Sequence, residues 1–299
     1  MTAPTVARDA GVRHAMAQAL VCAGVAEIVG ALGVPHNPFS ALLVAQGGDG
    51  AAEPRRLYGA VAGHLHAMRP DTLIVFTTDH YNLFFDVSVP IFAIGVAEST
   101  SGPSDYPTLP HYEIAVDTVL AKQIQTAAVD DGFDVGMSQE FELDHTITAP
   151  LGVMIPRMDV AVVPLWISTS MRPIPSARRC HALGRAIRAA VERSPLERRV
   201  AVVASGAFSF EVGGPRMSED SHVGVPDPEW ALRVTELLAA GDVETLLGET
   251  TPAQLAAAGN ASGEILNWIA MLGTFDAGVP LFIEAQGAEG HAFAAWSAR

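Results

Sequence analysis

The sequence predicts an α/β fold of three layers, in which helices flank a central, mostly parallel or mixed sheet. Four apolar runs rich in β-branched residues have the length of strands: 71–78, 89–97, 158–168 and 198–208. These runs are continuous and do not alternate with polar residues, which is typical of strands covered on both faces. Segments with helical periodicity lie between the runs, so helices are expected to cover the sheet.

The other elements follow in chain order without a low-complexity linker. Residues 12–24 have the apolar spacing of a helix, and the apolar run 26–34 predicts a strand that ends at Pro35 and His36. Helices are predicted at 54–68, about 111–129, 176–193, 228–241, 251–259 and 263–275. We interpret residues 1–25 as an N-terminal helical extension and residues 26–299 as a single domain.

The composition narrows the class of partner and the compartment. Of the 299 residues 49% are hydrophobic, and the net charge is −15. This excess of negative charge repels nucleic acids and anionic membranes, so we expect a small-molecule partner. Cys22 and Cys180 are too far apart to indicate a disulfide framework or a thiolate metal site. Without a signal-peptide pattern or a long apolar span, the sequence predicts a cytoplasmic protein.

Two histidines and one glutamate stand where a metal site would be expected. His36 and His80 each follow a predicted strand, and ligands collect at such strand ends in α/β sheets. Glu264 begins the helix 263–275 beside its apolar face, so its carboxylate needs a partner, although it could simply favour the helix N terminus. Two imidazoles and a carboxylate form the facial triad that holds Fe(II) and leaves positions open for a substrate and O₂.

The segment TTDHYNLFFDVSVPIFAIGVAES, residues 77–99, resembles the class III extradiol dioxygenases. The resemblance is to the protocatechuate 4,5-dioxygenase β-subunit and 2,3-dihydroxyphenylpropionate dioxygenase type, and it covers most of the chain from about Ile28. VPHNP then corresponds to the motif of the first ligand, His36, and DHYN to that of the second, His80. The family's third ligand is a glutamate with a tryptophan four residues later, as in Glu264 and Trp268.

The resemblance also implies roles for residues around the metal. ELDHTITAPL matches a family motif whose histidine, His145 here, lines the pocket for substrate and oxygen and handles protons; alternatively, His145 is a loop residue bonded to Asp144. Tyr81 and Asn82 adjoin a ligand and are candidates for contacting the substrate or holding His80, or they merely cap the loop.

One position departs from the family pattern. In VASGAFSFEVGGPR, Phe210 occupies the place of a catalytic histidine that helps to deprotonate the bound diol. Three interpretations remain open. The substrate is a ring that needs no such group, such as a hydroxypyridone or an aminophenol; His145 or His222 takes over the proton transfer; or ring cleavage has been lost. We favour the first two together, with Phe210 stacked on the substrate.

The resemblance implies an Fe(II) dioxygenase that cleaves a catechol-like, aminophenol or hydroxypyridone ring with O₂. The competing hypotheses are a redox-neutral metal-dependent hydrolase or lyase and a non-catalytic subunit of a two-chain dioxygenase. A homo-oligomer is the usual expectation for such an enzyme. The remaining histidines, His291 among them, receive no role from their sequence context.

Overall fold

The computed structural model describes residues 25–85, 88–214, 216–217 and 222–298. An eight-stranded sheet forms the centre, with the strand order β11-β12-β1-β8-β2-β7-β3-β6. Strands β1, β8, β2 and β7 are parallel, whereas β12 and β3 run antiparallel to β1 and β7. The sheet is therefore mixed, and helices cover both of its faces, which confirms the three-layer α/β prediction. The predicted N-terminal helix at 12–24 lies outside the described residues.

Helices and strands have the following bounds. The sheet strands are β1 Glu27–Val34, β2 Thr72–Thr77, β3 Phe92–Gly95, β6 Val135–Ser138, β7 Ala161–Ile167, β8 Arg199–Ser205, β11 Phe282–Gln286 and β12 His291–Ser297. Two small ribbons pair β4 Ser99–Gly102 with β5 Tyr112–Ala115 and β9 Glu211–Val212 with β10 Val223–Gly224. The α-helices are α1 Pro38–Gln46, α2 Ala52–Met68, α3 Thr118–Asp130, α4 His145–Met154, α5 Ala177–Glu192, α6 Pro228–Ala240, α7 Val243–Glu249, α8 Pro252–Ala258 and α9 Ile265–Gly273.

Two apolar cores hold the layers together. One lies between the sheet and helices α3, α5, α6 and α9, and it contains the fully buried Trp268. The other lies on the opposite face under α2 and α4, around Tyr58 and Leu151. Burial of apolar surface on both faces explains why the central strands are continuous apolar runs. Among the described residues, no helix is both long and apolar enough to cross a membrane.

The parallel register brings three chain segments to one edge of the sheet. Val34 at the end of β1 pairs with Ser205 at the end of β8, and Ala204 pairs with Phe76 near the end of β2. Each strand then leaves the sheet at the same side. His36, His80 and the residues after Ser205 are consequently neighbours, although they are far apart in sequence.

The helix predicted at about 111–129 is wrong in its first turns. Residues Tyr112–Ala115 form β5, which pairs with β4, and the helix begins only at Thr118. Asp117 accepts a hydrogen bond from the Leu120 backbone N–H and so fixes this start. The helix that begins at His145 and the hairpin of β11 and β12 were not predicted from the sequence.

Candidate active site

Two imidazoles and a carboxylate converge at the carboxyl edge of the parallel strands. Glu264 Oε1 lies 3.3 Å from His36 Nε2 and 3.1 Å from His80 Nε2. His36 and Glu264 are buried, while His80 is half-buried. The structure therefore brings together the three residues that the sequence suggested as ligands. A third imidazole, of His145, joins them, and donor atoms of the three histidines lie within 4.8 Å of one another.

A serine determines how His36 faces the cluster. Ser205 Oγ donates a hydrogen bond to the Thr146 carbonyl at 2.6 Å and lies 2.8 Å from His36 Nδ1. Since the Ser205 proton is used by Thr146, the hydroxyl must accept from an Nδ1–H of His36. This arrangement selects the tautomer with a free lone pair on Nε2, the atom that points at Glu264.

His80 is presented by a turn that Asp79 organises. The Asp79 carboxylate accepts hydrogen bonds from the backbone N–H groups of Asn82, Leu83 and Phe84. Tyr81 adopts a left-handed backbone conformation with φ of 61°, an uncommon state for a residue with a bulky side chain. The turn thus holds His80 at the strand end, with its ring directed into the cluster.

Glu264 is positioned by contacts between helix α9 and the end of β8. Trp268 Nε1 donates to the Gly206 carbonyl at 3.1 Å, and Asn267 Nδ2 donates to the Ser205 carbonyl at 2.8 Å. The Ala207 backbone N–H donates to Glu264 Oε2 at 2.7 Å. Gly206 has φ of 146°, and a Cβ there would lie 2.5 Å from the Glu264 Cβ. Only glycine allows this close approach.

His145 is held by two aspartates. Asp144 caps helix α4 by accepting from the Thr146 backbone N–H, and its carboxylate also lies 3.3 Å from the His80 backbone N–H. Asp105 accepts from both the backbone N–H and the ring Nδ1 of His145. His145 therefore donates from Nδ1 to a carboxylate, which leaves its Nε2 for the cavity. Asp105 was not identified from the sequence, because nothing near it in the chain indicates this contact.

The cluster is strongly coupled electrostatically. Burial would raise the pKa of Glu264, but the charges and hydrogen bonds of His36 and His80 hold that pKa far below its usual range. Burial also acts to lower the pKa of His80, yet Glu264 outweighs it and raises the pKa to about 9. For His36, burial prevails and lowers the pKa. The carboxylate is thus ionised and ready to bind a cation.

A cavity of about 490 Å³ opens beside the cluster. Its walls are largely apolar and aromatic, with four aromatic side chains: Phe39, Tyr81, Tyr106 and Phe210. The polar groups that line it outside the cluster are Asn37, Ser170, Asn260 and His291. No Lys or Arg belongs to the described residues that line it. The volume is sufficient for a substituted aromatic ring.

The other candidate residues occupy different places. Tyr81 and Phe210 line the cavity, as expected for groups that meet a substrate. Asn82 is exposed and lies outside the described lining, where its amide donates to Asp144 and Asp105. His222 is also exposed and is not part of that lining. For Asn82 the loop-holding role fits the geometry better than substrate contact.

His291 is one of the cavity residues to which the sequence analysis gave no role. It is the first residue of β12, it is 7% exposed, and its ring lines the cavity. Burial lowers its pKa to about 4. The sequence carried no signal for this placement, since β12 joins the site only through its pairing in the sheet.

Comparison with known proteins identifies the family. The model of the catalytic LigB subunit of aromatic ring-opening dioxygenases matches residues 30–293. The chain belongs to this family. The LigB match confirms the resemblance to class III extradiol dioxygenases and shows that the protein is an aromatic ring-opening dioxygenase.

Two relatives and one solved structure illustrate the similarity. Gallate dioxygenase of Pseudomonas putida is 33% identical over 188 residues, 62% of this chain and 52% of that protein, so the chain spans about half its length. The 2,3-dihydroxyphenylpropionate/2,3-dihydroxicinnamic acid 1,2-dioxygenase of Burkholderia vietnamiensis is 30% identical over 77% of this chain and 83% of that protein. An uncharacterised Escherichia coli K12 protein shares the fold, with a TM-score of 0.57 at 17% identity over 90% of this chain and 99% of that one.

Proposed function

We propose that this LigB-family enzyme is Fe(II)-dependent and that His36, His80 and Glu264 hold the iron. The observation that carries the proposal is the approach of Glu264 Oε1 to within 3.3 and 3.1 Å of the two histidine Nε2 atoms. Two imidazoles with one carboxylate are the donor set of non-haem Fe(II) oxygenases. The hydrogen bond between His36 Nδ1 and Ser205 also fits a metal ligand, because such histidines usually donate their second N–H to a fixed acceptor.

When bound, Fe(II) would acidify a ring hydroxyl and bring the substrate and O₂ together. The chain supplies the surrounding groups. His145 lies beside the ligands with its Nδ1 bound to Asp105, so its Nε2 can donate or accept a proton at the substrate. The Tyr106 ring packs edge-on against the His145 imidazole, with the two ring centroids 5.2 Å apart.

The substrate class we propose is a ring with two adjacent heteroatoms: a catechol, an aminophenol or a hydroxypyridone. Phe210 and Tyr81 offer flat faces against which such a ring can stack. The Phe210 side chain cannot transfer a proton. Either the substrate is a ring that is already acidic, or another residue acts as the base.

The ring substituent is expected to be uncharged. Gallate and dihydroxyphenylpropionate, named for the relatives, both carry a carboxylate, for which an arginine or lysine is the usual partner. The described lining contains neither. Arg216 is close in sequence to the cavity residue Val212. Its guanidinium, however, is bound to Glu211 at 2.6 Å and to the Ala257 carbonyl at 2.9 Å. Esters or alkyl groups would suit the apolar wall better.

The decisive experiment is oxygen uptake by the anaerobically reconstituted Fe(II) protein. Catechols, aminophenols and hydroxypyridones are supplied, with methyl gallate against gallate as a matched pair for the charge of the substituent. We expect uptake with an ultraviolet-absorbing product, faster for the ester. His36→Ala and Glu264→Ala should abolish both uptake and bound iron, whereas the exposed-site variant Glu244→Gln should preserve them. Uptake that persists without bound iron, or that requires Zn(II), contradicts the proposal.

We also propose a cytoplasmic homo-oligomer. Cys180 is a free, buried thiol in the described part of the chain, which suits a reducing compartment. Val279 and Leu281 are 65% and 62% exposed beside the edge strand β11, where a second copy could cover them. Sedimentation analysis of the wild type and of Leu281→Glu tests this surface. A monomeric wild type would contradict it.

A further inference from the structure

The cavity wall around Phe210 contains an imidazole from another part of the chain. His291 begins β12, which follows the tight turn at Gly290. Its side chain is buried and lines the same cavity as Phe210, His145 and Glu264. A histidine is therefore present at this wall, even though the family's catalytic histidine is replaced by Phe210.

Backbone hydrogen bonds tie His291 to the segment that carries Phe210. The N–H groups of Phe208 and Ser209 both donate to the Gly290 carbonyl, at 2.8 and 3.0 Å. Gly290 has φ of 74°, and a Cβ there would lie 1.9 Å from the Ser209 carbonyl oxygen. The residue before His291 thus lies directly against the residue before Phe210, and this contact holds the start of β12 beside the segment that carries Phe210.

The His291 ring is held in its neutral form, in which one ring nitrogen can accept a hydrogen bond. Burial keeps the imidazole neutral by lowering its pKa to about 4, and the ring has a hydrogen bond to the Glu289 backbone that favours the protonated form. The Glu264 carboxylate has the same favourable effect, which the charge of His36 opposes. A neutral imidazole that donates one N–H to the Glu289 backbone keeps a lone pair on its other ring nitrogen.

We propose that His291 is the catalytic base that replaces the missing histidine at position 210. This inference rests on the proposed function. The ring nitrogen of His291 that is not bound to Glu289 takes the proton of a substrate hydroxyl. The oxygen keeps the electron pair of the O–H bond, and the Glu289 carbonyl stabilises the imidazolium through the opposite N–H. His145, which begins helix α4 and is bound to Asp105, is then free for a separate proton transfer.

Relocation of the imidazole provides the test. His291→Asn should lower kcat about 100-fold, the range for loss of a positioned acid or base, with a smaller change in KM. In the double variant Phe210→His with His291→Asn, the imidazole returns to position 210, and we expect kcat to recover to within about tenfold of the wild type. His66→Asn, at an exposed position of helix α2, serves as the control and should behave as the wild type.

A second readout requires no turnover. Each protein is loaded with Fe(II) and titrated without oxygen with 4-nitrocatechol, whose visible absorption reports its loss of protons. The wild type should bind the doubly ionised form and His291→Asn the singly ionised form, with equal iron content and thermal midpoint. A folded His291→Asn variant with unchanged kcat and unchanged ligand ionisation would overturn the role of His291. A wild type that ionises the ligand but consumes no oxygen would instead overturn the proposed reaction, so the two failures are distinguishable.

Discussion

The two walls of the cavity are built in different ways. On one wall, which we call the metal wall, His36 and His80 follow the ends of parallel strands and meet Glu264 from helix α9. The facing wall, defined by Phe210 and His291, has Phe210 where the resemblance to the family implies a histidine, and His291 enters it from the hairpin of β11 and β12. The resemblance to the family implies that the first wall keeps the family's residue types, whereas the second wall departs from them at Phe210.

The difference indicates which part of the reaction is fixed and which is adjustable. A metal site needs several donors at defined distances, so replacing one residue destroys it. A proton acceptor needs only one ring nitrogen within hydrogen-bond reach of the substrate, and several backbone positions can provide that. A change on the facing wall can therefore alter the substrate while the metal wall stays intact.

The largest expected effect concerns His145, which lies closest to the metal wall. His145→Asn should lower kcat by about 10²–10⁴-fold, because it removes a positioned proton donor. Iron content should stay at the wild-type level, since Glu264 and not His145 completes the proposed donor set. Iron analysis after gel filtration, together with stopped-flow kinetics, checks both points. Loss of iron would mean that His145 is a metal ligand. The donor atoms of His36, His80 and His145, which lie within 4.8 Å of one another, also allow a site of three histidines.

A second prediction tests the facing wall through the pH dependence of stability. The pKa of His291 is lowered from 6.5 to about 4 in the folded protein. Between these values the unfolded chain binds the proton that the folded chain excludes, so the unfolding free energy falls as the pH falls. The contribution is about 3 kcal/mol when it is fully developed, and it is absent above the unfolded pKa.

The measurement compares denaturant unfolding of metal-free wild type and His291→Asn from pH 7 to pH 4. His36 and Glu264, which interact electrostatically with His291, are present in both proteins, so the difference between the two curves reports mainly the titration of His291. The wild type should lose more stability than the variant over this range. Parallel curves would mean that the ring is solvated, in conflict with its burial.

The same contrast explains what the sequence could predict. The buried strands were readable because apolar runs covered on both faces leave a continuous pattern, and the candidate ligands His36 and His80 were found because they follow predicted strand ends. His291 and Asp105 were not, since their roles depend on pairings with β11 and helix α4 that no local pattern records. The helix start wrongly predicted at 111 has a similar cause, because β5 forms by pairing with β4, which no local sequence pattern records.

A third prediction sharpens the account of the metal wall. Ser205→Ala removes the acceptor of the His36 Nδ1–H and leaves the tautomer unselected. Metal affinity should fall by about 10–100-fold, as is typical when the partner of a ligating histidine is lost. Competition for Fe(II) against a chromophoric chelator measures the effect. Ser297→Ala, at an exposed position in β12, is the matched control. Unchanged affinity would show that the Nδ1 contact has no influence on the ligand.

The smallest effect is expected from Phe210 itself. If the ring stacks on the substrate, Phe210→Leu removes an aromatic contact worth about 0.5–1.5 kcal/mol and should weaken substrate binding about 2- to 10-fold. Phe210→Tyr retains the ring and should bind as the wild type does, and kcat should change little in either variant because the proton transfer belongs to His291. Anaerobic dissociation constants and kcat, measured with the same uncharged catechol, separate the two quantities. A large fall in kcat with unchanged binding would mean that Phe210 orients His291. The two side chains would then act as one catalytic unit, and neither could be changed without affecting the other.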